Sequence, residues 1–182
     1  MNNYENAGLG LKKLYIAEIG VLVCTVLAFI PIINILAAVG LLVFAIISLV
    51  GLFQAGKDIK GCMTAFILTI VSAVCNLFKS FGGSVISIVT TILSFLVMYF
   101  VCTSVAEVMN NIQQPDIAQK GQTVWKISLG CTIASVVILI LAFVPGLSGL
   151  ATIANVVVAI ISIVNIILYM LFLGKSSAAL GA

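Results

Sequence analysis
Three amides, Asn76, Asn155 and Asn165, sit inside long apolar stretches of a 182-residue chain, together with hydroxyls that include Ser48, Ser87, Thr91, Ser94 and Ser162. In lipid such groups either bond across a helix interface, an interaction worth about 0.6–2 kcal/mol, or face a solute held between helices. Interhelical bonding is the simpler chemistry for all three amides. Asn155, with Ser87, is the first candidate for solute contact, because each shares a helical stripe with small residues.

Ionisable groups inside a membrane are stronger functional markers than amides. Glu18, about one turn inside the first apolar run, and Lys126, at the start of the fifth, read as boundary residues that snorkel to the interface. They form an ion pair if the helices that carry them touch. Glu107 and Lys79 also fall at span ends. With no carboxylate assigned to a midplane, a proton-coupled pump is disfavoured.

Catalysis is not expected. The chain has no histidine and no arginine, and its five acidic residues form no pair. General acid–base work, metal-assisted hydrolysis and an activated nucleophile all need groups that this sequence lacks. The "FGGS" at 81–84 is a turn sequence and not a phosphate loop. Cys24, Cys62, Cys75, Cys102 and Cys131 are scattered singly, so they read as small packing residues, and no metal or other cofactor is expected.

The elements that must position these groups follow from composition. Hydrophobic residues make up 63% of the chain and charged residues 7%, with a mean hydropathy of +1.37. A soluble surface needs about a quarter of its residues charged. The solvent must therefore be lipid. Apolar segments run over Leu14–Ile33, Leu36–Gln54, Cys62–Phe78, Ser84–Val108, Val124–Val144 and Leu147–Leu173. Each is near the ~20 residues that carry a helix across a hydrocarbon core. None alternates as a barrel strand would. The expectation is an all-α integral membrane protein of six transmembrane helices, one membrane domain over 1–182, with its first helix retained rather than cleaved as a signal.

Lysines 12, 13, 57, 60, 120, 126 and 175 fall on the side shared by both termini, and only Lys79 falls opposite. This bias predicts cytoplasmic termini. It also accounts for the net charge of +3 without a nucleic-acid partner. The absence of arginine and the frequency of Lys, Ile and Asn point to an AT-rich bacterial genome, hence to a bacterial cytoplasmic membrane. Residues 1–11 form a short cytoplasmic lead, and the amide-rich segment 109–122 reads as a cytoplasmic loop.

The apolar segments repeat. Shifted by 114, residues 12–52 match their partners at 15 of 41 positions without a gap, including Lys12/Lys126, Pro31/Pro145 and Ala45–Ser48 with Ala159–Ser162. At an offset of 46 the middle pair follows more loosely, aligning Ser48 with Ser94 and Ser162, and Glu18 with Thr64 and Thr132. Three helical hairpins, about 12–60, 61–108 and 123–175, read as copies of one unit arranged around the membrane normal.

Ala37, Ala45 and Ser48 share one stripe, as do Thr91 and Ser94, and Ala151, Ala159 and Ser162. Small side chains let helix backbones approach, so these stripes read first as packing seams and second as the lining of a polar cavity. The matching functional expectation is a non-catalytic membrane subunit or scaffold, packed with itself or with another membrane protein. The alternative is a small-solute transporter or channel with a weakly polar centre. In size, span count and cytoplasmic termini the chain resembles the substrate-binding subunits of energy-coupling-factor vitamin transporters. The likeness stops there, because the small-residue partner motif expected in their first helix is not identifiable.

Overall fold
A computed structural model describes residues 4–28, 30, 33–141 and 148–182, with the side chains of 79–84, 140–141, 148–153 and 155 not described. Six helices follow in order: α1 Glu5–Leu27, α2 Asn34–Gly56, α3 Lys60–Leu77, α4 Lys79–Asn111, α5 Pro115–Leu141 and α6 Ser148–Ala179. There is no strand among the described residues. Five helices are long and apolar enough to cross a membrane: α2, α3, α4 over Val85–Asn111, α5 over Pro115–Leu139 and α6 over Val156–Ala179. The chain is a multi-pass membrane protein. α1 matches α2 in length at 23 residues but carries Glu5, Lys12, Lys13 and Glu18.

Each helix packs on the next in sequence, and α6 returns to α1, which closes the six into a ring. Tight seams hold neighbours together. A Cβ placed on Gly10 of α1 would meet the Gly51 carbonyl of α2 at 2.6 Å, so glycine is what lets the two backbones touch. Between α5 and α6, a Cβ on Gly121 would meet the Phe172 ring at 2.8 Å.

The fully buried side chains gather at the end where the termini lie. Leu11, Leu14, Val101, Val105, Met109, Val124, Phe172 and Leu173 interlock there, and Cys62 and Cys102 fill gaps between them. The same end is tied by polar contacts. Asp58, in the α2–α3 turn, accepts the Ala7 amide at 2.8 Å and the Asn6 side-chain amide at 3.2 Å, supplying a carboxylate to the α1 N-terminus from another element. Lys13 donates to Gln54 at 2.6 Å.

Three expectations change. α1 begins at Glu5, well before Leu14, and Asp58 satisfies one of its first-turn amides, that of Ala7. The segment 109–122 is mostly helix rather than loop, and only residues 112–114 interrupt it. Gln113 takes a positive φ of 61°, its amide donating to Asn110 and that of Gln114 to Met109. Pro115 then opens α5, where its missing N–H costs nothing. Likewise the "FGGS" at 81–84 is no turn. α4 already starts at Lys79, and Phe78 alone separates it from α3.

Candidate functional site
Above the packed end, two adjoining open cavities lie among the helices of the ring. The first, about 340 Å³, is lined by Leu14 and Glu18 of α1, Ser48 and Leu52 of α2, Thr69, Ser72, Ala73 and Asn76 of α3, Ser94, Val97 and Met98 of α4, and Tyr169 of α6. Five of the six helices contribute, which makes this space central. The second, about 290 Å³, lies among α4, α5 and α6, and Ser94 and Met98 border both. Its polar wall includes Thr91, Ser128, Thr132, Ser135, Ser162 and Asn165.

Periodicity explains why these groups share one interior. Thr69, Ser72 and Asn76 recur at spacings of three and four on α3, as Ser128, Thr132 and Ser135 do on α5. Such spacings keep residues on one helix face. The opposite faces are apolar and exposed: Ile35, Leu36 and Val39 on α2, and Val156, Ile160 and Ile163 on α6. α2 to α6 therefore present hydroxyls to the ring interior, and α2 and α6 turn branched aliphatics to lipid.

Asn165 anchors the second cavity. It is 4% exposed, and its Nδ2 donates to Ser128 Oγ at 2.7 Å, while the Ser128 hydroxyl donates to Met98 Sδ at 2.6 Å. Its own Oδ1 is buried without a hydrogen-bond partner. A buried amide oxygen left unpaired costs stability unless something else supplies a donor.

The residues singled out from sequence divide as follows. Ser48, Ser94 and Ser162, which share one register in the hairpin alignment, line the cavities with Thr91, Asn76 and Asn165. Ala37 is buried, whereas Ala45 and Ala159 are exposed. Ser87 is half-buried in α4, and its carbonyl accepts the Thr90 and Thr91 hydroxyls. The side chains of Ala151 and Asn155 lie outside the described residues.

Glu18 and Lys126 are not brought together. α1 and α5 are not neighbours in the ring, Glu18 lines the first cavity, and Lys126 sits over the Trp125 ring at 5.9 Å. Because α1 starts at Glu5, Glu18 falls in about its fourth turn and not at its edge. Sequence reasoning missed Tyr169, Met98, Ser128 and Thr69. The α3 and α5 spacings were a readable signal, but nothing local distinguishes Tyr169 from an interfacial aromatic. No protein family, curated protein or solved structure matches this chain.

Proposed function
We propose that the protein binds a small polar solute in the ring interior and carries it across the membrane without chemical change. One observation carries this reading. Polar side chains from five helices, including the serines of all three hairpins, converge on a central space, and apart from the Asn165–Ser128–Met98 group the described ones do not bond to one another across interfaces. Polar groups that served only as interhelical glue would pair directly. The reading includes cytoplasmic termini, which the lysine distribution supports, and hairpins related by duplication, which the shared register of Ser48, Ser94 and Ser162 supports.

A scaffold or subunit role is the second reading. It draws on the apolar outer faces, where Ile35 is 82% and Leu36 71% exposed and a partner helix could replace lipid. Native mass spectrometry of the protein extracted from its own membrane separates the two. A retained small molecule at one copy per chain is expected. A stoichiometric second polypeptide with no small ligand would overturn the solute reading in favour of the scaffold.

A further inference from the structure
Two features of the lining restrict what the interior can hold. The first is charge. Among the described residues, Glu18 is the one charged side chain lining either central cavity. It makes no hydrogen bond or salt bridge with another described residue. The nearest lysine in sequence, Lys13, is engaged by Gln54. The second is hydrogen-bond polarity. Thr69, Thr91, Ser94 and Thr132 each donate the hydroxyl proton to a backbone carbonyl of their own helix, at 2.8–2.9 Å. Asn76 spends an N–H the same way on the Ser72 carbonyl, and Asn165 donates to Ser128.

A hydroxyl whose proton is committed to its helix offers only lone pairs to the space in front of it, and the Asn76 amide with one N–H committed still offers its oxygen and a second N–H. Part of the lining therefore offers only lone pairs, while hydroxyls such as Ser48, Ser72, Ser162 and Tyr169 donate to no other described residue, and the single carboxylate sets the sign of the charge. A solute with many donors and a positive charge complements such a surface. An anion would meet lone pairs and a like charge.

Resting on the solute-binding reading above, we infer that the interior selects small organic cations, of the protonated-amine class, with Glu18 as their counter-charge. An ammonium group offers up to three donors, which the Glu18 carboxylate and the acceptor hydroxyls beside it can receive. The space suits an organic cation of roughly ten heavy atoms, taking about 30 Å³ per water-sized group. A bare divalent ion is a poorer match, since six or more convergent oxygens would be needed around it, and the carboxylate is single.

The test labels the interior with thiol reagents of matched size and opposite charge. Ser94 borders both cavities, so Ser94→Cys is treated, in proteoliposomes, with the trimethylammonium-ethyl and sulfonatoethyl methanethiosulfonates. Modification is read at residue 94 by peptide mapping and normalised to each reagent's rate with glutathione. The expected result is a normalised preference of about tenfold or more for the cation, the local enrichment that a single-signed cleft produces. Adding Glu18→Gln should abolish the preference, and Glu18→Asp should keep it. Equal normalised rates in Ser94→Cys alone, or a preference that survives Glu18→Gln, would overturn the inference while leaving the solute cavity standing. If residue 94 resists both reagents while the control variant Gln119→Cys, at an exposed position, reacts, the cavity reading falls as well.

Discussion
Asn165 and Ser128 join α6 to α5 through a 2.7 Å hydrogen bond at the wall of the second cavity. Because Ser128 passes its own proton to Met98 Sδ, the three side chains form one relay across α4, α5 and α6. A double-mutant cycle of Asn165→Ala and Ser128→Ala should give a coupling of about 0.6–2 kcal/mol, the range for polar pairs between membrane helices. Reversible unfolding in mixed micelles measures it. Additive single losses would mean that the pair contributes nothing to the α5–α6 interface.

The register-matched serines have a different role. Ser94 bonds to the Thr90 carbonyl of its own helix, so its hydroxyl holds no neighbouring helix in place. Combining Ser48→Ala, Ser94→Ala and Ser162→Ala should leave the unfolding midpoint within a few degrees of the parent. Solute retention in native mass spectrometry should fall at least about tenfold, as when a site built for hydrogen bonding is stripped of its partners. Unfolding of the triple variant with retention unchanged would reverse the assignment and make these residues a packing seam.

Between α1 and α2 the backbone leaves no space. A methyl group at Gly10 would press on the Gly51 carbonyl and on Ala55. Gly10→Ala should therefore destabilise by about 1–3 kcal/mol, the usual cost of overpacking. Thermal unfolding followed by circular dichroism reads the loss. Ala45→Gly, on an exposed position of α2, is the comparison and should cost only its helix propensity, about 1 kcal/mol.

At Gln113 the chain adopts a conformation that suits glycine, with φ at 61° and the paired amide bonds to Asn110 and Met109 that end α4. Gln113→Gly should raise stability by up to about 1 kcal/mol, since the left-handed region penalises a side chain. The same unfolding assay decides, and a loss of stability would show that the Gln113 side chain makes a compensating contact.

The apolar spans were legible because a helix in lipid must be apolar along a fixed length, and that requirement is written residue by residue. Ser48, Ser94 and Ser162 were legible as a shared register, since helical spacing converts directly into a shared face. What those faces meet was not legible. Whether a stripe packs or lines a space depends on the order of helices around the ring, and that order depends on the contact of α6 with α1. Glu18 shows the limit most clearly. Its turn number within α1 depends on where that helix starts, and there Asp58, a turn residue 51 positions from Ala7, accepts the Ala7 amide. The 109–122 segment misled for a related reason: amide-rich composition reads as loop, yet the three-residue turn at 112–114 is all the reversal requires.

The floor beneath the cavities sets how tight the protein is at rest. Phe172 and Leu173 are completely buried there, with Gly121 against the Phe172 ring. Uncovering just these two side chains costs about 3–6 kcal/mol on the usual burial scale, a population of roughly one molecule in a hundred to one in tens of thousands. Water and small ions that fill the interior would thus meet a closed, dry barrier almost all of the time. Passage would require something that favours the uncovered floor, and a bound solute could do so only if it bound that arrangement more tightly.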